Sequence, residues 1–567
     1  MRSDRIRRAA GLAVVFSTAI WLEFAPRAEA AGQTDALARA IDSVMAPAYP
    51  ADQPGAAVIV VKDRKTVFRK AYGMANLELG VPLQPEHVFA LASLSKPFTA
   101  TAILKLAEEG KLKLDDDIAR FLPTYPTHGH RVTIEHLLTH TSGLSALSET
   151  SDFRASSTQD SPLIDVLDDW IKDLPPDFAP GDRWAYSNWG YNLLGAIIEK
   201  ASGMSYSAYL EQRVFKPAGL TQTAYNDRRR IIPMRVAGYD QIGDQVVNLA
   251  PIRYRVFLPG GAATLVSSVD DLARWNAALD DGRVLSTASM SRMFTSSRLK
   301  NGAETHYGYG WDLGSYEGRS VQEHAGGTFG FMSYMVRVPQ DHTFVVILSN
   351  RSFATPPIQA TAHRVAAIAI GAPIAEPPAA AVTAADLDKI VGSYRGPDVG
   401  TFTVTREGTS AFAQTGLGKL PLIPTGPLTF RTDTVLWTWT FELDAKGSRA
   451  ARARVREWKI DDVAERFEPT RAAPRPVITM TAARLNACAG EYESLNGVIV
   501  TIARAGTHLV ATPLGQTGTD IFPVSATEFT TKDGGTTYRF VAAANGQIAR
   551  YLRSANGGSW IPARRIR

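Results

Sequence analysis

The sequence predicts an α+β domain, an antiparallel sheet flanked by helices, followed by two copies of an all-β module. Three observations lead there. Apolar hairpins lie at both ends of a long helical stretch, a linker-like composition sets in near residue 371, and a pattern of residues then recurs at a spacing of 98. The first hairpin is the run Ala57-Val58-Ile59-Val60-Val61, the turn Lys62-Asp63-Arg64-Lys65 and the return Thr66-Val67-Phe68. The second runs from Ser333 to Val338, turns at Pro339-Gln340-Asp341-His342 and returns from Thr343 to Leu348. Alternating or continuous apolar runs broken by polar turn residues are the signature of paired strands. Between them, helical patterns run from Pro97 through Ile103, Leu104 and Leu106 to Gly110, and through Leu193, Leu194, Ile197 and Ile198 to Gly203. Each ends at a glycine, as helices commonly do. Strands that enclose the helices must pair across a large sequence separation.

Residues 371–386 carry Pro373, Pro377, Pro378 and an alanine run, the composition of a linker. From its end onward, Thr383-Ala384-Ala385-Asp386-Leu387 matches Thr481-Ala482-Ala483-Arg484-Leu485, and Gly392-Ser393-Tyr394 matches Gly490-Glu491-Tyr492. Two copies of one β-module are the economical reading. The expected division is a signal at 1–30, a first domain at 31–370, a linker at 371–386, a β-module at 387–470, a linker at 471–480 and a second module at 481–567. Cys488 is the single cysteine, so no intramolecular disulfide can form, and the repeat places it opposite Ile390, an apolar core position.

With 567 residues, 45% of them hydrophobic and 21% charged, the chain has the make-up of a globular protein of several domains. Its net charge is +5, and two of those charges belong to the first 30 residues. The basic clusters are confined to Arg228-Arg229-Arg230 and the tail Arg564-Arg565-Ile566-Arg567, which gives nucleic-acid binding little support. Arg2 to Arg8, the apolar Ala9 to Leu22 and the small-x-small Ala28-Glu29-Ala30 read as an export signal cleaved before Ala31. A periplasmic or secreted protein is expected, with no membrane span after cleavage.

The chemistry centres on Ser93-Leu94-Ser95-Lys96, followed at once by the Pro97 helix. Residues three apart share a helix face, so Ser93 and Lys96 are neighbours. A lysine amine kept neutral can take the serine proton, and the free amides of the helix start favour an oxyanion. Tyr186-Ser187-Asn188, before the Leu193 helix, offers a phenol for proton relay and an amide to orient a substrate. His324-Ala325-Gly326-Gly327 opens the later strand region, where small residues let a substrate lie against backbone. His128-Gly129-His130 has no further metal-ligand pattern around it, phosphate-binding glycine loops are absent, and no Gly-x-Ser-x-Gly elbow occurs. No metal and no cofactor are implied.

In this order the motifs resemble the class C β-lactamase group, which includes DD-peptidases, D-aminopeptidases and esterases. The resemblance covers about residues 33 to 370 and also rests on Leu137-Leu138-Thr139-His140-Thr141-Ser142-Gly143-Leu144, Gly190-Tyr191 and Leu265-Val266-Ser267-Ser268. It implies a β-lactamase/transpeptidase-like fold, with Ser93 as nucleophile, Lys96 as its base partner and Tyr186 as general acid/base. It further implies Asn188 as a substrate-orienting amide and an oxyanion hole from the amides of Ser93 and Gly327. His324 and Gly326 stand where many members have a Lys-Thr-Gly triad, so a titratable imidazole replaces a fixed charge. Hydrolysis of a small amide, peptide or ester is therefore expected ahead of β-lactam hydrolysis. The whole-chain plan resembles the D-aminopeptidases, whose modules are eight-stranded, lipocalin-like barrels and whose last barrel sends a long loop to the active site. Here the matching turn, Lys532-Asp533-Gly534-Gly535, is short and is expected not to reach. The alternatives are a D-aminopeptidase or DD-peptidase and, from another class, a catalytically silent protein that binds a ligand or partner.

Overall fold

A computed structural model describes residues 21–144, 176–227, 230–242, 244–248, 260–353, 356–397, 399–416, 418–456, 458, 461–468, 475–494, 499–514, 517–543, 545–555 and 561–566. The two predicted hairpins form as β1 (Ala56–Lys62) with β2 (Lys65–Tyr72), and β5 (Phe331–Val338) with β6 (Thr343–Ser349). The first turns through Asp63 and Arg64, both at positive φ, the geometry that matches a tight hairpin to strand twist. β3 (Asp312–Tyr316) and β4 (Arg319–Thr328) complete one sheet in the order β3-β4-β5-β6-β1-β2. The first and last strands of the domain pair directly, Ala57 opposite Leu348 and Ile59 opposite Val346.

The continuous apolar run of β1 is explained by cover on both faces. Ala57 and Ile59 pack into the helical middle with Phe98 and Leu348, while Ala56, Val58 and Val60 pack against Ile41 and Met45 of α1 (Trp21–Ala48) and against Ile358 and Val365 of α4 (Ile358–Ala369). The middle contains α2 (Lys96–Glu108) and α3 (Asn188–Ser202), whose ends are marked by Gly110 and Gly203 in the left-handed region. Of the expected signal, residues 1–20 lie outside the described residues, as do Arg228, Arg229 and Arg567; residues 21–30 belong to α1. Among the described residues no helix is long and apolar enough to cross a membrane.

Each β-module is a closed barrel of eight antiparallel strands, one between Gly392 and Phe467 and the other between Gly490 and Arg565. The repeated Thr-Ala-Ala segments are short helices, α5 (Ala384–Ile390) and α6 (Ala482–Cys488), capped by Thr383 and Thr481. The repeat extends to single bonds: Tyr394 Oη donates to the Ile390 carbonyl and Tyr492 Oη to the Cys488 carbonyl, both at 2.8 Å. Cys488 is fully buried, and burial pushes its thiol up to about 11, so it serves as a small core residue. The first barrel docks on the first domain through Trp458, stacked on Tyr316 at 4.0 Å and on His363 at 4.7 Å.

Candidate active site

Ser93 sits in a 3₁₀ turn (Ala92–Ser95) that runs directly into α2. Ala92, in the left-handed region at φ 49°, turns the chain sharply ahead of it. Ala92, Leu94, Ser95 and Lys96 are all buried, which leaves Ser93 as the residue of the turn that faces outward. The neighbouring hydroxyls are structural: Ser95 Oγ accepts from the Leu265 amide and Ser142 Oγ from the Leu144 amide.

Lys96 is fully buried, and its Nζ lies 2.9 Å from Ser93 Oγ, 2.5 Å from Asn188 Oδ1 and 3.1 Å from the Ala262 carbonyl. Burial holds its amine well below the usual lysine value and so favours the neutral form. A neutral amine has two hydrogens and one lone pair. The Asn188 and Ala262 oxygens can only accept, so they take both hydrogens, and the lone pair is left to Ser93, the one partner able to donate. The Ala262 carbonyl comes this close because Gly261 has no side chain; a Cβ there would stand 2.5 Å from the Tyr191 carbonyl and 2.6 Å from Thr99 Cγ2.

The Tyr186 ring covers the lysine, its centroid 4.7 Å from Nζ. Asn188 is the first residue of α3 rather than a loop residue, with Ser187 as the helix cap. His140 holds this segment from behind: its carbonyl accepts from the Ala185 amide at 2.9 Å and its Nδ1 from the Ser187 amide at 3.0 Å. Burial, with Lys96 and His324 nearby, depresses its basicity well below the usual imidazole range, so it stays neutral. Its ring packs 4.4 Å from Tyr186, 4.7 Å from Tyr307 and 5.1 Å from Tyr191.

His324, on β4, is buried, with Nε2 2.9 Å from Tyr307 Oη and Nδ1 2.6 Å from the Ala325 carbonyl. A carbonyl can only accept, so Nδ1 carries a proton, and Nε2 shares a hydrogen bond with the Tyr307 hydroxyl. Gly326 lets β4 close on the Ser93 turn: a Cβ would meet Ser333 Oγ at 2.2 Å and the Leu91 carbonyl at 2.3 Å. Ala325 and Gly327 alternate with it and are exposed. β3 pairs only with residues 319–323, so among the described residues no strand flanks residues 325–328 on that side. Ser93, Lys96, Tyr186 and Asn188 thus share one site, with His324 joined to it by rings: its centroid is 6.2 Å from that of Tyr186.

Sequence reasoning gave His140 no role of its own and passed over Tyr307 and the Ala262 carbonyl. The glycine–aromatic alternation Tyr307-Gly308-Tyr309-Gly310-Trp311 was the available signal for a close-packed loop. The turn of the last barrel is short, and its Gly534 and Gly535 line a cavity with Trp184 and Ala185, just ahead of Tyr186; the cavity lining includes none of Ser93, Lys96, Tyr186, Asn188 and His324.

The β-lactamase family model matches residues 37–370. The chain belongs to the β-lactamase family. It is an enzyme of that family. Penicillin-binding protein 4* of Bacillus subtilis strain 168 is 35% identical over 398 residues, which span 66% of this chain and 86% of that protein. The octameric penicillin-binding protein homologue from Pyrococcus abyssi is 25% identical, with a TM-score of 0.52 over 77% of this chain and all of that one. FmtA from Staphylococcus aureus, 19% identical with a TM-score of 0.50, covers 60% of this chain and 90% of its own and shares the fold.

Proposed function

We propose that the enzyme cleaves a small amide, peptide or ester bond through an acyl-enzyme on Ser93. The observation that carries this reading is the buried Lys96 amine, 2.9 Å from Ser93 Oγ, with its other two contacts made by acceptors. The Ser93 hydroxyl gives its proton to Lys96 as Oγ attacks the carbonyl carbon. The negative charge gathers on the carbonyl oxygen, facing the amides of Ser93 and Gly327. Tyr186, over the lysine, relays the proton to the departing amine or alkoxide, and water then releases the acid by the reverse path. Beyond Glu323, where no strand among the described residues pairs with β4 on the β3 side, it offers backbone to an extended substrate.

His324 supports neutral substrates over β-lactams. Its ring nitrogens are engaged by Tyr307 and the Ala325 carbonyl, and it supplies no fixed positive charge for a carboxylate beside Ser93. The relationship to a penicillin-binding protein over 86% of its length favours amide and peptide bonds and keeps D-aminopeptidase or DD-peptidase activity as the second reading. Periplasmic or secreted location is the setting proposed for either. The test is turnover of nitrophenyl esters, D- and L-amino-acid amides and a chromogenic cephalosporin by the wild type and by Ser93→Ala. Esters and amides should turn over in the wild type alone. Equal rates in the two proteins would end the proposal.

A further inference from the structure

The cavity where the second barrel meets the first domain has a volume of about 430 Å³, large enough for several atoms of a substrate, and is outside the catalytic cluster. One wall is Arg183 and Trp184; the opposite wall is Arg475, Glu528, Gly534 and Arg539. Its side-chain charge is positive by one, three arginines against Asp177 and Glu528. The distribution matters more than the sum. Glu528 is satisfied from its own side of the cavity, one oxygen held by Arg475 of the preceding linker at 2.7 Å and the other by Arg539 of the barrel at 2.9 Å. Arg183 instead donates to a backbone carbonyl, that of Asp177, at 2.7 Å and lies over the Phe178 ring at 4.8 Å. These contacts fix the direction of its guanidinium while leaving further N–H groups for an anion, the planar fork that suits a carboxylate. Trp184 is 39% exposed, a large apolar surface for a soluble protein to leave uncovered at a cavity wall. A Cβ on Gly534 would meet nothing within 4 Å, so the turn borders open space rather than packed side chains.

The same segment connects the cavity to the nucleophile. Trp184 packs 6.0 Å from the His140 ring, His140 4.4 Å from the Tyr186 ring, and Tyr186 4.7 Å from Lys96 Nζ, which is 2.9 Å from Ser93 Oγ. Laid end to end, these contacts keep Trp184 within about 18 Å of Ser93 in a straight line, about five residues of extended chain at roughly 3.5 Å each as the shortest span that needs to be allowed for.

We infer that this cavity is a subsite for the carboxylate of an extended peptide substrate, with Arg183 as the anion contact and Trp184 as the apolar floor. The inference rests on the acyl-enzyme reading of Ser93, and it gives the second barrel a function as one wall of the substrate site. A carboxylate taken up here lies residues away from Ser93, so it is compatible with a neutral environment at the scissile bond.

Binding separates this subsite from the chemistry. Ser93→Ala protein is titrated calorimetrically with alanine tetrapeptides, in L and D forms, ending in a free carboxylate or in a carboxamide. The carboxylate form should bind at least about tenfold more tightly, with an advantage that shrinks as salt rises. Adding Arg183→Gln or, from the barrel side, Thr537→Trp to fill the cavity should abolish the difference. Equal binding of the two peptides, binding of neither, or an advantage that survives both substitutions would overturn the inference. Loss of ester turnover in the wild type would instead overturn the acyl-enzyme reading, so the two failures are distinct.

Discussion

Lys96→Met replaces the buried amine by an apolar group of similar reach and tests the base directly. General-base assistance is worth about 10²–10⁴ in rate, and Nζ of the fully buried Lys96 lies 2.9 Å from Ser93 Oγ. We expect kcat/KM for a nitrophenyl ester to fall on the order of 10³-fold, about 4 kcal/mol of transition-state stabilisation. Stability should report the buried amine's protonation independently of turnover. The folded protein holds this amine well below its ordinary value of 10.5, so between those two limits the unfolded chain binds a proton that the folded one does not. The native state therefore gains stability as pH rises through that window, by up to about 1.4 kcal/mol per pH unit, and loses it as pH falls. Urea unfolding of both proteins at pH 7, 8 and 9 should show this slope in the wild type and its absence in Lys96→Met. The wild-type rate should also climb with pH as the neutral amine gains population. Parallel stability profiles, or a rate loss below about tenfold, would refute the assignment.

Asn188→Asp puts a carboxylate where an amide oxygen now lies 2.5 Å from Nζ. It should raise the lysine pKa by roughly 1–3 units, lowering activity at pH 7 and moving the rising limb of the pH–rate curve to higher pH; an unmoved limb would contradict this. Gly326→Ala forces a Cβ to 2.2 Å from Ser333 Oγ and 2.3 Å from the Leu91 carbonyl. It should cost about 1–3 kcal/mol in urea unfolding and lower kcat/KM as β4 is pushed from the Ser93 turn. Trp458→Ala removes the ring stacked on Tyr316 and His363 and should cost about 3–5 kcal/mol, read as easier proteolysis between the first domain and the first barrel.

The strands were legible because their apolar runs and turns are local: the Asp63-Arg64 turn and the β5–β6 hairpin lie where the pattern put them. The two barrels were legible through repetition, down to the equivalence of Ile390 and Cys488, both fully buried. The site was legible where chemistry and spacing coincide, as for Ser93 and Lys96, three residues apart on one turn. Contacts made across long separations were not. The Ala262 carbonyl and the His140 ring meet Lys96 and Tyr186 only through tertiary packing, and a backbone carbonyl carries no residue-type signal. The contact of the Asp533-Gly534 turn with the Trp184 edge was likewise not legible, because it depends on where the barrel docks, a property of surfaces spread over the whole chain.

The central claim is that Ser93 is the acylated nucleophile, and covalent capture tests it most directly. The purified protein is treated with a fluorophosphonate probe, digested, and the adduct mapped by mass spectrometry, with Ser93→Ala alongside. One adduct per chain on the peptide containing Ser93, absent from the variant, is the result predicted by the Lys96 geometry. An adduct on Ser95 or Ser142, or an unlabelled wild type that still turns over ester, would contradict it.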